Sequence, residues 1–187
     1  SGKTADLVAA FAGTITKHTG KVTITDKLYT AADLKAINDK TDGEIVLSDP
    51  STDLSGKTAD LVAAFAGTIT KHTGKVTITD RAYTSADLKA INAATDGEIV
   101  IDDASLGLSG KTADLIAALA GTITKTTDKV IITDNAYDVD KLKTINAATD
   151  GAIVLSDPST DLSGKTDDLV AAFAGTITKT TGKVTIT

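Results

Sequence analysis

The sequence predicts an α/β fold, a tandem-repeat solenoid in which helices alternate with short parallel strands. One observation is that Ser-Gly-Lys-Thr recurs with a strict spacing of 54 residues. Another is that both halves of each unit follow one plan: Ala-Asp-Leu, an apolar stretch, a Gly turn, a β-branched run and Asp. Repeats of this length indicate supersecondary units that stack in order. We therefore expect one solenoid of seven half-units over 1–187, built from units 1–54, 55–108, 109–162 and a partial unit, 163–187.

Composition narrows the class of protein further. Of the 187 residues, 41% are apolar and 3% aromatic, so Ala, Val, Ile and Leu must form the core. The absence of Cys excludes disulfides and thiolate metal sites. The longest apolar run, Leu7 to Ala12, is too short to span a bilayer, so we expect no membrane insertion. The net charge of −6 disfavours nucleic acid as a partner. The chain begins without Met or a signal peptide, which suggests a processed or excised fragment.

The first half of each unit predicts a helix followed by a strand. Leu7, Phe11 and Ile15 lie four residues apart, which is typical of one helix face. We expect this helix to end at the Gly that precedes the strand, as at Gly20. Thr14 to Thr16 could instead form the first arm of a hairpin with the following strand, and the sequence leaves this alternative open.

The second half predicts a helix about one turn shorter, with Leu34 and Ile37 on its apolar face. Thr30 with Asp33 resembles a capping box at the helix start. The other two copies carry their own start signals, and each copy then ends its helix at an Asp-Gly pair. The start signals are Thr84 with Asp87, and Asp138; the Asp-Gly pairs are residues 42–43, 96–97 and 150–151.

Each half-unit ends in a short strand of alternating residues, such as Val22 and Ile24 with Thr23 between them. Helices between strands imply parallel pairing through right-handed crossovers. Seven strands about 4.8 Å apart would form one sheet about 30 Å long, curved with the strands on the inner side. Charge alternates along the first positions of the strands, which predicts a ladder of ion pairs that fixes register. These positions are Lys21, Glu44, Lys75, Glu98, Lys129, Ala152 and Lys183.

The sequence predicts no catalytic residues and no cofactor site. Ser-Gly-Lys-Thr resembles the end of a phosphate-binding loop, but that loop needs a Gly where this chain has Ser51 and Ser105. We interpret the motif as a polar helix start capped by Ser or Thr.

Two groups of side chains could suggest a metal. His18 and His72 lie one unit apart, about 9.6 Å if two strand spacings separate them, so they cannot share a zinc ion. We interpret both as exposed turn residues. The loop at residues 48–53 offers Asp49 and Asp53, whereas calcium takes six to eight oxygen ligands. We interpret these carboxylates, and those of Asp26, Asp80 and Asp134 after the first-half strands, as turn formers and helix caps. We predict no metal site, although calcium binding to the Asp-rich loops stays open.

Three tyrosines precede the shorter helices by one residue. We expect each to pack as a cover over the helix start, the position of a hydrophobic staple; a binding stripe is the alternative. They are Tyr29, Tyr83 and Tyr137.

The pattern Ala-Asp-Leu-Lys-Ala-Ile-Asn, then Thr-Asp-Gly-Glu-Ile-Val-Leu, is carried by residues 32–47, and the counterpart at residues 86–101 ends in Ile instead of Leu. It resembles the helix–strand tandem repeats of large secreted bacterial surface proteins of the adhesin type, whose architecture is similar to that of leucine-rich repeats. The resemblance covers the whole chain. It implies an extracellular or cell-surface location and a structural or adhesive role.

These observations predict a non-enzymatic spacer or stalk whose partners are neighbouring repeats of the parent chain, with end-to-end self-association also considered. Copies one and two differ mainly at turns and helix ends, which favours a spacer. The alternatives are a binding module that uses the exposed sheet face for a glycan or protein, and an engineered repeat scaffold. The near-identity of these two copies fits either recent duplication or engineering.

Overall fold

Helices and strands alternate along the chain in a computed structural model that describes residues 1–187. Every strand pairing is parallel. This confirms the predicted α/β class with repeated helices and parallel strands. The helices are α1 (Thr4–Phe11), α2 (Ala31–Asn38), α3 (Thr58–Ala64), α4 (Ser85–Ala94), α5 (Thr112–Ala118), α6 (Val139–Ala147) and α7 (Thr166–Ala172). The strands are β1 (Val22–Ile24), β2 (Ile45–Leu47), β3 (Leu54–Gly56), β4 (Val76–Ile78), β5 (Ile99–Ile101), β6 (Leu108–Gly110), β7 (Val130–Ile132), β8 (Ile153–Leu155), β9 (Leu162–Gly164) and β10 (Val184–Ile186).

The strands form four small sheets, in the orders β1–β2, β3–β4–β5, β6–β7–β8 and β9–β10. The prediction of a single seven-stranded sheet is therefore wrong. The observed sheets differ from the predicted one because the segment Leu-Ser-Gly at the start of the later units forms an additional strand, as in β3. Its register places Leu54 beside Val76, and Val76 in turn lies beside Ile99. Glycine is depleted in strands, so a strand at Leu-Ser-Gly is not predictable from the sequence alone.

The chain divides into two compact units. The first comprises residues 1–83 and 90–102 and contains β1 to β5. The second comprises residues 84–89 and 103–187 and contains β6 to β10. A single solenoid over 1–187 stays a prediction.

The helices of the first half-units end earlier than predicted. Helix α1 ends at Phe11, and Gly13 follows with a φ of 89°. Gly67 has the same role after α3, with a φ of 72°. Left-handed backbone of this kind ends helices and favours glycine. Gly20 is therefore not the helix end, and the prediction of a helix through Ile15 is wrong.

The hairpin alternative for Thr14 to Thr16 is also wrong. The equivalent Ile69 makes a parallel bridge with Ile45, and Ile177 makes one with Ile153. Antiparallel pairing with the following strand is absent. The prediction that the second-half helices are about one turn shorter is also wrong. First-half helices have seven or eight residues, whereas α2, α4 and α6 have eight, ten and nine.

The core contains the first and third residues of β1, β2, β4, β5, β7 and β8 and one face of the helices α2 to α7. In β4, Val76 and Ile78 are fully buried and Thr77 between them is half-buried. Leu34 and Ile37 of α2 are also fully buried, as their spacing predicts. The longest helix, α4, has ten residues, and none of the helices has the length and apolarity needed to cross a bilayer. The aliphatic core explains how so few aromatic residues suffice.

Candidate functional site: contacts between successive half-units

The carboxylate that follows each first-half strand caps the helix at the start of the same half-unit. Asp80 Oδ1 accepts hydrogen bonds from Thr58 N at 3.1 Å and Thr58 Oγ1 at 2.6 Å. Asp26 contacts Thr4 in the same way. The Thr58 hydroxyl is the main reason that the pKa of Asp80 lies below its usual range. The predicted role of these aspartates as helix caps is confirmed, but the cap comes from 22 residues away.

The Ser-Gly-Lys-Thr motif therefore has a different structure from the one predicted. Its Ser and Gly lie in a strand, and the N-cap residue is Lys57, which makes no side-chain cap. Thr58 is the first helical residue and is buried. The prediction of Ser or Thr as the cap is wrong, because the buried Thr hydroxyl donates its hydrogen bond to the aspartate.

The caps of the second-half helices are local and follow the prediction. Thr30 Oγ1 accepts a hydrogen bond from Asp33 N, and Thr30 N donates to Asp33 Oδ2 at 3.0 Å, which completes a capping box. Thr84 and Asp87 repeat this arrangement. In the third copy, Asp138 Oδ1 accepts from a backbone N–H of α6. Each pair satisfies N–H groups that a helix start leaves unpaired.

The three tyrosines are core residues. Tyr29, Tyr83 and Tyr137 are at most 3% exposed, which excludes an exposed binding stripe and is what packing as covers requires. Tyr29 Oη donates a hydrogen bond to the backbone oxygen of Asp49 at 2.6 Å. The hydroxyl thereby holds the loop after β2, and burial raises the pKa of Tyr29.

A contact that recurs within the chain, and that sequence reasoning missed, joins α2 to α3. Asn38 Nδ2 donates hydrogen bonds to the backbone oxygens of Ala63 and Ala66, at 2.8 and 2.9 Å. Asn146 makes the equivalent pair with the end of α7. The amide satisfies carbonyl groups that a helix end leaves unpaired. The signal in the sequence was the recurrence of Asn at the end of Lys-x-Ile-Asn, one residue type at one position in every unit.

The Asp-Gly turn before each second-half strand lies directly against the preceding strand's turn. Thr41 Oγ1 donates to the His18 backbone oxygen at 2.7 Å and accepts from Gly43 N at 2.9 Å. A Cβ on Gly43 would overlap the backbone oxygen of Gly20. The glycine is therefore required by the close approach of two backbones, whereas the sequence suggested only a helix stop.

Lysine–aspartate pairs connect the same half-units at the surface. Lys17 pairs with Asp42 at 2.9 Å, and the corresponding pairs of the next units are Lys71–Asp96 at 2.6 Å and Lys125–Asp150 at 3.5 Å. A second series runs from each second-half helix to the following first-half helix, and it comprises Lys35–Asp60, Lys89–Asp114 and Lys143–Asp168. Exposed pairs contribute about 0–1 kcal/mol each, so these pairs favour correct register more than stability.

The predicted charge ladder exists only in part. Lys21 Nζ lies 3.1 Å from Glu44 Oε2, as expected for neighbouring strands. The ladder does not continue to Lys75, because β3 is the neighbour of β4 on that side. Lys75 lies opposite Asp53 instead, and its backbone N–H donates to Asp53 Oδ1 at 2.9 Å.

The two histidines differ from each other. His18 is exposed, as predicted. His72 is fully buried, so the prediction of an exposed turn residue is wrong for this copy. The His72 ring packs 5.7 Å from that of Phe65, and its Nε2 lies 2.7 Å from the Thr52 backbone oxygen. Burial lowers the pKa of His72, so the ring is neutral at pH 7 and Nε2 donates to this oxygen. Thr126 takes the equivalent buried position in the third copy.

The Asp-rich loops hold their carboxylates with protein groups. Asp49 Oδ1 accepts from Ser51 N at 3.0 Å, and Asp49 Oδ2 pairs with Lys27 at 2.5 Å. The Lys27 ammonium is the main reason that the pKa of Asp49 is strongly lowered. Asp157 repeats the turn with Ser159. These contacts confirm the role as turn formers, and no group of three or more His, Asp or Glu side chains has the geometry to hold a metal ion.

Every buried side-chain nitrogen and oxygen has a hydrogen-bond partner. The polar residues of the repeat thus act on neighbouring backbone, and none is directed unpaired into a cavity. Comparison of the chain with family models, curated proteins and solved structures gives no match.

Proposed function

We propose that the chain is a non-enzymatic structural array, a spacer or stalk of a secreted bacterial surface protein, in which half-units stack as a solenoid. The observation that carries the proposal is the recurrence of one set of contacts between half-units. Asn38 and Asn146 cap the following helix in the same way, and the Lys17–Asp42 pair recurs in each complete unit. A chain whose polar groups serve these contacts is suited to setting a length.

The secreted, surface-exposed setting rests on the resemblance to helix–strand repeats of bacterial surface proteins. The acidic balance and the lack of Cys are compatible with it. Its partners would be neighbouring repeats of the parent chain. Copies one and two differ mainly at turns and helix ends. A binding module would concentrate its differences on one surface, so this distribution favours a spacer.

Small-angle X-ray scattering of three chains tests the spacer. One is the chain as it stands, one lacks residues 55–108, and one carries that unit twice. A stacked array predicts that the maximum dimension changes by about 10 Å per unit, two strand spacings. A maximum dimension that grows only as the cube root of chain length would overturn the proposal.

A further inference from the structure

The last strand, β10, presents an apolar edge that its internal counterparts bury. Val184 and Ile186 are 43% and 67% exposed, whereas Val76 and Ile78 of β4 are fully buried. Both strands have the sequence Val-Thr-Ile. Beside β10 lies a cleft of about 290 Å³, and its lining includes Thr166, Leu169, Val170 and Phe173 of and after α7. We call the exposed edge of β10 and this cleft the open face.

Internal copies show which kind of segment covers this face. Strand β5 covers β4, with Ile99 beside Val76, and β8 covers β7 in the same register. The backbone N–H of Val76 donates to the backbone oxygen of Glu98 at 2.8 Å, and the backbone N–H of Asp102 donates to the backbone oxygen of Ile78 at 3.1 Å. Each covering strand belongs to a second half-unit, so the open face matches a segment of that class.

Charge and shape complementarity point to the same segment. Lys179 is the equivalent of Lys71 and Lys125, which pair with the Asp of the covering Asp-Gly turn. In that turn, the Gly97 Cα lies so close to the Gly74 oxygen that no side chain fits, and Gly182 takes the place of Gly74 in the last copy. The open face therefore specifies an aspartate and a glycine next to each other in whatever covers it.

The start of α7 supplies a third match. Thr58 and Thr112 are buried against Asp80 and Asp134, which lie two residues after the ends of β4 and β7. The equivalent Thr166 is exposed, and α7 begins after Lys165 without a side-chain cap. A covering segment that begins with Asp would complete this helix start.

We propose that the open face binds a helix–strand segment of the class formed by residues 80–103, which adds to β10 as a parallel strand with its Ile opposite Val184. The required chemistry is an initial Asp, an amphipathic helix, and Asp-Gly-x-Ile-Val-Ile. The proposal rests on the proposed function in treating half-units as stacking units, and it goes further by defining the partner of one surface. Backbone pairing supplies affinity, and the Gly and Asp positions supply specificity.

The test joins a copy of residues 80–103 directly after Thr187 of the full chain. A matched control carries the same extension with Val in place of the Gly of its Asp-Gly turn, the equivalent of Gly97→Val. The expected result is a rise in Tm of about 5 °C or more and slower hydrogen exchange at the Val184 amide, with neither effect in the control. A second control, Lys179→Glu, should reduce the gain in Tm.

Three outcomes overturn the inference. In the first, the extension changes neither Tm nor hydrogen exchange at the Val184 amide. In the second, the extension raises Tm equally with Gly and with Val in its turn. In the third, the unextended chain forms a dimer in which the Val184 amide is already protected from exchange. The last outcome would show a second copy as the occupant. If the extension leaves Tm unchanged while scattering shows a regular increase in length per unit, this inference alone is overturned. If the extension raises Tm but scattering shows no such increase, only the spacer is overturned.

Discussion

Single side chains at fixed positions stabilise neighbouring parts of the fold. Asp80 is the clearest case, because its carboxylate satisfies both the N–H and the hydroxyl of Thr58 at the start of α3. We expect Asp80→Ala to lower the free energy of unfolding by about 1 kcal/mol, the usual value of a helix cap. Urea denaturation measures this, with Asp39→Ala as the control because copy two already has Ala93 there. Equal losses for the two variants would contradict the cap.

Asp80 also predicts a pH dependence. Its pKa is lower in the folded chain than the ordinary 3.8 of an unfolded Asp. Its stabilising contribution is therefore complete above pH 3.8 and is lost as the pH falls through the folded value. The Asp80→Ala variant should lose less stability than the parent chain over this acid range.

His72 predicts a separate pH dependence at a higher pH. Its folded pKa lies below the ordinary 6.5 because the ring is buried, so the unfolded chain takes up a proton first as the pH falls. Stability is complete above pH 6.5 and declines as the pH falls below it toward the folded pKa. His72→Thr, which copies Thr126 and Thr180, should remove this decline in Tm between pH 6.5 and 5. The exposed His18 provides the control variant His18→Thr, and an unchanged decline in His72→Thr would rule out this role.

At the scale of elements, the Asp-Gly turns set how closely successive strands approach. A Cβ at position 97 would overlap the Gly74 oxygen, whereas a Cβ on Gly56 would lie 3.4 Å from Ala31 Cβ. We expect Gly97→Ala to cost about 1–3 kcal/mol by overpacking and Gly56→Ala to cost clearly less. Thermal denaturation of both variants decides this, and similar losses would show that the close approach is unimportant.

Elements whose signals are local were predictable from the sequence. The capping box of Thr30 and Asp33 and the alternation of Val22 and Ile24 involve residues within a few positions, and both are confirmed. The end of α1 was missed because the Leu7–Phe11–Ile15 spacing continues past Gly13, whose positive φ ends the helix. Sequence spacing cannot distinguish these two outcomes.

Elements that depend on contacts about one half-unit away were not predictable. Leu54 to Gly56 form a strand because β4 pairs with them, not because of their own propensity. The hydrogen bond that the buried His72 makes is to Thr52, which lies 20 residues away in the preceding half-unit. In the candidate site, residue types such as Asn38 were visible, but their partners were set by stacking.

At the scale of the whole molecule, we infer that half-units are stable because neighbouring half-units cover their apolar faces and helix ends. Helices of seven to ten residues are too short to be stable alone. Their apolar faces and helix ends are completed by adjacent half-units, as with Asn38 and the end of α3. Stability should therefore depend on the number of units.

The most direct measurement is the free energy of unfolding, from urea denaturation, for chains that lack residues 55–108, contain them once, or contain them twice. We predict that the shortest chain folds and is the least stable, and that the free energy of unfolding rises with each added unit. The same free energy of unfolding in all three chains would contradict it, because units that fold independently gain nothing from another neighbour.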